Sequence, residues 1–475
     1  MKAEQITRVK SDCAPAMQAK LAPWMHQLLG ERKDLLYTWI EKYGSPIHIV
    51  VQSEFHRNVK DLLEPLSSRK VKGGLFFARK ANKLECFVEA AGQAGIGVDT
   101  ASLTELRETL ALGIPPEKVI LTAIGKSEKL IREAIASGCL LVIENEDELN
   151  LLRQIASSHT NPIRIALRFS GFEVNGRAVF SRFGLPVKDS QAIIDRISKE
   201  KNLKLVLLHA HLDRYDTEER AMAGRELLRI ADYAGRLGIK VSAIDLGGGI
   251  LMRYIEKEEQ WLQFQEELKS AVRGEREHFT YKQDGLGFFK AGQELHGKAD
   301  FYPVWNPISK ERFISAVLDH KHGGSALHEE LVARNVELFF EPGRALLDNC
   351  GITVANLAYR KRDTLGNLHL GVRMNRMNLR PFRAEFCSDP IFLAKGARER
   401  ATEGAYLVGC LCSESDTIFR RKLQIENMPE PDDLAVFANS AGYLAHHMEI
   451  GTHGDPLPLN LVLDPKSWEI RSAVR

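Results

Sequence analysis

Residues able to do chemistry recur at or near the ends of short apolar, β-branched runs. In chain order they are Lys80, Asp99, Arg168, His209 with His211, Asp245 with Gly247, Gly248 and Gly249, and Glu341 with Gly343 and Arg344. Taken singly, each has an ordinary structural interpretation, such as a surface lysine, a core histidine or a tight glycine turn. Their joint occurrence at matching ends of different runs indicates one shared site.

These residue types fit the chemistry of an aldehyde cofactor. A lysine amine forms a Schiff base with an aldehyde. Three consecutive glycines let backbone N–H groups approach a phosphate closely, and a nearby arginine adds positive charge. A carboxylate beside a pyridine nitrogen keeps that nitrogen protonated and makes the ring an electron sink. One cofactor with these three features would account for the whole set.

The apolar runs themselves predict the elements that position the site. Eight runs are predicted as strands: Gly73–Lys80, Ile96–Ser102, Lys118–Ile124, Leu140–Asn145, Ile163–Ser170, Leu203–Asp213, Lys240–Gly249 and Val336–Arg344. Helical patterns separate most of them, and several open on Ser or Asp and close on Gly. This alternation predicts a parallel sheet covered by helices. Eight units favour a closed (β/α)₈ TIM barrel, an α/β fold, over an open doubly wound sheet, and a barrel brings the strand ends to one rim.

The remaining chain predicts three further parts. Residues 1–46 are interpreted as one or two lead-in helices, and 47–345 as the barrel with an insertion at about 250–335. Residues 346–475 are interpreted as a mainly β C-terminal domain, because their apolar runs are short and strand-like. The early strand at 47–51 (IHIVV) is expected to join that domain.

Composition narrows the class of protein. The chain has 475 residues, 44% hydrophobic and 27% charged, with a formal net charge of +2, so no broad basic field for nucleic acid is expected. Seven scattered cysteines indicate a reducing compartment. The N-terminus lacks the apolar core of a signal peptide, and no apolar run approaches the roughly 18 residues that span a bilayer. We therefore expect a cytoplasmic protein without a membrane segment.

The same residues carry a family resemblance. From about Tyr43 to about Tyr443 the sequence resembles the fold-type III decarboxylases that depend on pyridoxal 5'-phosphate (PLP), the family of diaminopimelate, ornithine and arginine decarboxylases. The segments FARKANK, GVDTASLTEL, IDLGGGI and EPGRAL resemble its motifs in their order. The resemblance implies an alanine racemase-like, PLP-binding barrel and decarboxylation of an amino acid or an amino-acid conjugate, a carbon–carbon lyase reaction.

It also implies roles for the rim residues. Lys80 would be the Schiff-base lysine with Asp99 near it, Glu341 would contact the pyridine nitrogen, and His211 would stack on the ring. Phosphate or other cofactor contacts are implied for a further set: Arg168, Gly247, Gly248, Gly249, Gly343, Arg344 and Tyr443.

The late segments imply the rest of the site. GCLCSESD resembles the family's cysteine motif and implies that Cys412 donates a proton to Cα, with Glu414 and Asp416 as substrate contacts. MNLRP makes Arg380 a candidate ligand of the substrate carboxylate. In the family the cysteine motif reaches into the partner subunit's site, so a homodimer with shared active sites is implied.

Several positions depart from the family pattern. Asp213 and Arg214 stand where the family has Gly and a phosphate-binding Ser, so Arg214 either replaces that Ser or points away. Arg182 replaces a usual Lys. Ser413 stands where an acidic residue recognises a distal amine, and Glu414 comes one position late. These departures put the familiar diamino acid substrates in doubt and indicate a divergent branch.

Two other functions remain open. One is a PLP-dependent amino-acid racemase, which usually lacks the Cys motif and the Glu at the ring nitrogen. The other is a non-catalytic PLP-binding protein, typically a bare barrel. His446, His447 and His453 could suggest a metal, but no companion residues have ligand spacing, so a polar loop is favoured and no metal is expected. The substrate and the pathway are not specified by the sequence.

Overall fold

The computed structural model describes residues 12–379, 388–397 and 400–474. They form two compact units that alternate along the chain. One unit comprises Met1–Val51, Arg253–Asn306 and Asn349–Ala473, and the other comprises Gln52–Met252, Pro307–Asp348 and Val474–Arg475. Within the described ranges, no helix has the length and apolar character needed to cross a membrane.

Helices and strands alternate through most of the chain. The α-helices of the described residues are α1 (Pro23–Gly30), α2 (Lys33–Tyr43), α3 (Gln52–Ser68), α4 (Glu85–Gln93), α5 (Leu103–Ala111), α6 (Glu128–Ser137), α7 (Glu146–Ala156), α8 (Ser190–Ile197), α9 (Thr217–Arg236), α10 (Glu258–Arg273), α11 (Glu311–Asp319) and α12 (Leu327–Arg334). The strands are β1 (Ile47–Val50), β2 (Gly73–Ala78), β3 (Gly97–Thr100), β4 (Val119–Leu121), β5 (Leu140–Ile143), β6 (Ile163–Ser170), β7 (Glu173–Val174), β8 (Arg177–Ala178), β9 (Leu185–Pro186), β10 (Leu203–Ala210), β11 (Ala243–Asp245), β12 (Phe288–Ala291), β13 (Glu294–Gly297), β14 (Lys321–His322), β15 (Ser325–Ala326), β16 (Glu337–Phe340), β17 (Gly351–Arg362), β18 (Leu368–Val372), β19 (Ile391–Leu393), β20 (Arg400–Val408), β21 (Leu423–Asn427), β22 (Leu434–Ala438), β23 (Leu459–Leu463) and β24 (Ile470–Ser472).

Eight parallel strands close into a barrel in the second unit. The ring runs β2-β3-β4-β5-β6-β10-β11-β16 and returns to β2, and every neighbouring pair is parallel. All eight predicted strands are confirmed, and so is the TIM-barrel fold. Buried side chains of these strands form one apolar cluster: Phe76, Ile120, Leu140, Val142, Ala166, Val206, Leu207 and Ala243. Because all eight strands run the same way, their C-terminal ends share one rim.

Side-chain caps fix where several barrel helices begin. Ser102 accepts from the N–H of Glu105 at the start of α5, and Ser127 accepts from that of Leu130 at the start of α6. Such caps satisfy N–H groups that the first helical turn leaves without a partner, which contributes about 1 kcal/mol each. α5 thus starts directly after the strand end that carries Asp99.

The first unit is built on a nine-stranded sheet with mainly antiparallel pairings. β17 pairs with β1, β18 and β22, while β1 also lies parallel to β23. The apolar faces of α1 and α2 cover one side of this sheet, with Trp24, Leu36 and Trp39 in its core cluster. The C-terminal part of the chain is therefore mostly β, as predicted, and the early strand β1 lies in its sheet.

The segment between β11 and β16 is divided between the two units. Residues 253–306, which include α10 and the β12–β13 hairpin, belong to the first unit, while 307–348 stay with the barrel. Phe264 of α10 packs 5.9 Å from Phe279 and 5.8 Å from Phe301 between ring centroids, and the guanidinium of Arg421 lies 6.0 Å from its ring. The aromatic cluster is thus the core of the segment, and Arg421 joins it to the rest of the first unit.

Gly73 gives a direct test of the barrel closure. It begins β2 with φ of +136°, and a Cβ there would lie 1.8 Å from the carbonyl oxygen of Leu338 on β16. We expect Gly73→Ala to lower the thermal midpoint by about 4 to 8 °C, or about 2 kcal/mol in a domain of this size. The matched control is Gly235→Ala in α9, where no heavy atom lies within 4 Å and alanine favours the helix. Equal midpoints in the two variants would contradict the tight β2–β16 contact.

Candidate active site

Lys80 stands at the barrel rim in a short turn after β2. Its Nζ lies 3.6 Å from Oδ2 of Asp99 on β3, and its side chain is 40% exposed while that of Asp99 is buried. The preceding Arg79 is buried and donates to the backbone oxygen of Glu105 at 2.8 Å, which fixes the turn. The chain thus holds an accessible amine beside a buried carboxyl group.

Asp99 carries an unusual pKa. Burial raises the pKa of its carboxyl group, the charge of Glu341 raises it further, and Lys80 and a hydrogen bond from Thr122 lower it, with a result of about 7. Oγ1 of Thr122 lies 2.5 Å from Oδ1. A group with this pKa beside an amine can accept and return a proton near neutral pH.

Glu341 is a buried carboxylate held between two histidines. Its Oε1 lies 3.2 Å from Nε2 of His209, and its Oε2 lies 3.6 Å from Nδ1 of His211. Burial raises its pKa, but the interactions with His209 and the charge of Lys80 outweigh burial, so its pKa lies well below the usual value. Glu341 is therefore the charged carboxylate of this rim.

His211 is neutral, with its ring proton on Nε2. The N–H of Gly248 donates to Nδ1 of His211 at 3.2 Å, so that nitrogen is an acceptor. Burial lowers the pKa of His211 to about 4, with Lys80 and Arg168 also disfavouring its charged form. The backbone thus fixes both the orientation and the tautomer of the ring.

The triple glycine after β11 packs against these residues without room for side chains. A Cβ on Gly247 would lie 2.6 Å from Nδ1 of His211, and one on Gly248 would lie 2.7 Å from the carbonyl oxygen of Glu341. Gly247 and Gly249 also have φ of +66° and +76°, which favour glycine. The Gly247 N–H donates to Oδ1 of Asp245 at 2.7 Å. Glycine is thus required by both space and conformation.

Arg168 lies buried on β6 at the same rim. Its guanidinium lies 4.9 Å from the ring of Phe183, and that of Arg182 lies 3.9 Å from the same ring. Burial lowers the pKa of Arg168, while Glu341, Glu144 and Asp99 raise it. The buried arginine therefore adds positive charge toward Glu341 and Asp99.

The rim also holds the other predicted cofactor residues of this unit. Gly343 and Arg344 follow β16 directly, and Arg344 is half-buried. Arg214 instead forms an ion pair with Glu219 at 2.8 Å and is 65% exposed. Of the two alternatives left open by the sequence, this contact favours the one in which Arg214 points away.

The predicted residues of the other unit gather around a loop after β20. Asp416 is buried, and its two carboxylate oxygens accept from the N–H groups of Arg376 and Leu411, both at 2.8 Å. Cys410 and Cys412 are both exposed here, and the thiol of Cys410 lies 3.0 Å from the carbonyl oxygen of Val372. Asp416 thus organises the loop that presents the Cys412 thiol.

Glu414 on the same loop contacts the long segment that follows β11. The hydroxyl of Tyr281 lies 3.3 Å from both the carbonyl and Oε2 of Glu414. The N–H of Tyr281 also donates to the carbonyl oxygen of Arg420 at 2.6 Å. Tyr443 adopts a φ of +62°, rare outside glycine, with its ring 5.6 Å from that of His447. Arg380 lies outside the described residues.

The rim fits a phosphorylated pyridine aldehyde. It offers an amine at Lys80, a charged carboxylate at Glu341, and a close-packed glycine loop with arginines nearby.

One group of side chains at the rim could also be considered as metal ligands. Within the described residues, His209, Asp245 and Glu341 have ligand atoms that all lie within 4.8 Å of one another. Contacts with Gly247 and between His209 and Glu341 already engage these three side chains.

Sequence reasoning gave no role to several residues that the structure brings to these positions. His209 contacts Glu341, Thr122 contacts Asp99, and Tyr281 contacts Glu414. His209 had a detectable signal, because it points to the same face of β10 as His211 at a spacing of two. Tyr281 had none, since it lies in an insertion far from Glu414 in sequence.

Comparison with known proteins agrees with this geometry. Residues 52–286 match the family model described as the pyridoxal-dependent decarboxylase, pyridoxal binding domain. An uncharacterized protein, y4yA, of Sinorhizobium fredii is 27% identical over 91% of this chain and 90% of its own length. The diaminopimelate decarboxylase of Zymomonas mobilis is 22% identical over 88% of this chain and 87% of its length.

Among solved structures, the diaminopimelate decarboxylase of Helicobacter pylori complexed with L-lysine has a TM-score of 0.69. It covers 92% of this chain and 95% of its own, at 19% identity. This likeness confirms the barrel followed by a β domain. The family match and the diaminopimelate decarboxylase relatives show that the chain belongs to the fold-type III family of PLP-dependent decarboxylases, with PLP as its cofactor.

Proposed function

We propose that this protein decarboxylates an amino acid or an amino-acid conjugate, with Lys80 holding PLP and Cys412 donating a proton to Cα. The observation that carries the proposal is the placement of an accessible Lys80 amine at the same barrel rim as the charged, buried Glu341. When bound, PLP supplies an electron sink through its protonated pyridine ring.

Glu341 would keep the proton on the ring nitrogen. A carboxylate stays ionised beside a cation when its pKa is low, and the contact with His209 and the charge of Lys80 favour the ionised form. His211, neutral and oriented by the Gly248 N–H, would hold one face of the ring by stacking. These residues position and polarise the cofactor without themselves reacting.

Asp99 would accept and return the proton that Lys80 exchanges with the substrate amine. The substrate amine must displace Lys80, and this exchange moves protons between two amines. A carboxyl group with a pKa of about 7, 3.6 Å from the lysine nitrogen, can accept a proton and return it. Arg168, Gly247, Gly248, Gly249, Gly343, Arg344 and Tyr443 remain the proposed further cofactor contacts.

Cys412 would supply the proton that Cα receives after CO₂ leaves. Its loop is anchored by Asp416, and the Cys412 side chain is exposed, whereas Cys410 is turned to a backbone carbonyl. By resemblance, this loop would enter the partner subunit's site, so we propose a homodimer in which each site uses residues of both chains.

The substrate is proposed to lack a free distal amine. Ser413 stands where the family has an acidic residue, and its hydroxyl lies 2.9 Å from that of Ser415. The neighbouring Glu414 contacts Tyr281. Arg380 is the proposed ligand of the substrate carboxylate.

A screen for CO₂ release across L- and D-amino acids and their conjugates tests the activity. Conversion of an amino acid without release of CO₂ would favour a racemase.

The first prediction concerns the cofactor lysine. Reducing the PLP-bound protein with borohydride converts the imine to a stable amine, so mass spectrometry should locate the label on Lys80. Lys80→Ala should abolish the label, whereas Lys83→Ala, an exposed lysine three residues later, should keep it. The assignment fails if Lys80→Ala protein is labelled like the unmodified chain.

The second prediction concerns the charge of Glu341. Glu341→Gln should still bind PLP but lose about 100-fold or more in turnover, because a neutral amide cannot hold the ring nitrogen protonated. Glu337→Gln on the same strand, partly exposed, is the matched control and should keep its turnover. Turnover unchanged in Glu341→Gln would exclude the proposed role.

The third prediction concerns Cys412. In Cys412→Ala, CO₂ release should persist at a reduced rate. The product should shift from amine toward aldehyde, because the proton then reaches the cofactor instead of Cα and the amino group stays on the cofactor. Cys410→Ala should give normal products. Mixing Lys80→Ala chains, which are inactive, with Cys412→Ala chains, which form little amine, should restore up to about one native site in each mixed dimer. Normal products from Cys412→Ala, with no recovery despite demonstrated subunit exchange, would show that Cys412 is not the proton donor.

A further inference from the structure

A fully buried arginine lies directly behind the glycine loop. Arg220, on α9, is 0% exposed and is among the largest fully buried side chains of the described residues. Its three hydrogen bonds end on backbone carbonyl oxygens, not on carboxylates. Burying a guanidinium is costly unless its charge is compensated, so its position calls for an explanation.

This guanidinium joins the two loops that border the proposed phosphate site. Nη1 donates to the carbonyl oxygen of Leu246, directly before the glycines, at 2.6 Å. Nη2 lies 3.4 Å from the carbonyl oxygens of Leu212 and Arg214, in the loop after His211. A Cβ on Gly249 would lie 3.0 Å from the same Nη2. One side chain thus ties the loop after β10 to the loop after β11.

The phosphate contact of the loop falls next to this arginine. The N–H groups of Gly247 and Gly248 already donate to Asp245 and His211. Phosphate binding by the backbone is therefore left to Gly249 and the residues after it. Gly249 is the glycine that lies against Arg220.

The charge behind the loop is only partly offset by its acidic neighbours Asp245 and Glu219. Burial lowers the pKa of Arg220 to about 10, with Asp245 opposing the shift, so the guanidinium stays charged at neutral pH. Burial and the charge of Glu341 raise the pKa of Asp245 well above its usual value, which favours the uncharged acid. The Nε of Arg220 is buried and has no hydrogen-bond partner among the described residues. An anion bound at Gly249 would compensate this positive charge.

We propose that Arg220 is a positioning residue for the cofactor phosphate, shaping the glycine loop from behind and supplying positive charge to it. It would offset the loss of the phosphate-binding Ser, whose place Arg214 occupies while paired with Glu219. The inference rests on the proposed assignment of the glycine loop as the phosphate site.

Comparing PLP with pyridoxal, which lacks the phosphate, tests this role. Dissociation constants are measured for apoprotein carrying Arg220→Met, Arg220→Lys or Arg214→Met. We expect Arg220→Met to weaken PLP about 10- to 100-fold, as loss of a charged contact does, and to leave pyridoxal nearly unchanged. Arg220→Lys should be intermediate, and exposed Arg214→Met should match the unmodified chain. Equal weakening of both ligands, or no weakening of PLP, would overturn the proposal.

A second measurement covers the case in which Arg220→Met does not fold. Inorganic phosphate should raise the thermal midpoint of the unmodified apoprotein more than that of Arg220→Lys, because it stabilises the state it binds. Equal shifts in these two proteins would contradict the proposal. If the unmodified chain binds neither PLP nor phosphate, the proposed function itself fails. Normal binding and Lys80 labelling, with an unchanged PLP-to-pyridoxal ratio in Arg220→Lys, would reject the role of Arg220 alone.

Discussion

The arrangement of the barrel rim depends on keeping one charge, that of Glu341, in a buried place. A carboxylate out of water is costly unless hydrogen bonds and opposite charges stabilise it. Here His209 lies against one of its oxygens, and Lys80 and Arg168 add positive charge. The site's geometry follows, since these partners come from the ends of β10, β2 and β6, and the closed parallel barrel brings those ends to one rim.

Holding that charge changes the acids around it. Burial and the charge of Glu341 raise the pKa values of both Asp99 and Asp245, so the rim carries its negative charge mainly on one of three buried carboxyl groups. Burial and the charge of Glu341 raise the pKa of Asp99, and the nearby Lys80 lowers it, so the pKa lies at about 7. Groups whose environments push their pKa values apart can take different roles in one reaction.

Much of this could be predicted from the sequence because the signals were local. Each barrel strand is an apolar run, and six of the eight carry a predicted functional residue at or near their end, as at Lys80 and the triple glycine. Tertiary packing gave no such signal. The attachment of 253–306 to the rest of the first unit depends on contacts with residues far along the chain, such as Arg421 over the ring of Phe264 and Glu414 against Tyr281. Arg220 reads as a polar residue of an amphipathic helix, although the fold buries it completely.

Near each departure from the family pattern, the structure places another residue that can compensate for the changed side chain. Near the glycine loop, Arg214 stands where the family has a serine but forms an ion pair with Glu219, while Arg220 lies behind the loop. At the Cys412 loop, the acidic position has become Ser413, and Glu414 is contacted by Tyr281 from the inserted segment. Asp284 of that segment also forms an ion pair with Arg420, which lies between β20 and β21. An insertion that contacts the loop bearing the proposed proton donor can alter which substrates reach it, while the residues proposed to hold and polarise the cofactor, apart from the serine position, keep the family pattern. Divergence in substrate with retention of the reaction is therefore the physical interpretation that accounts for both sets of changes.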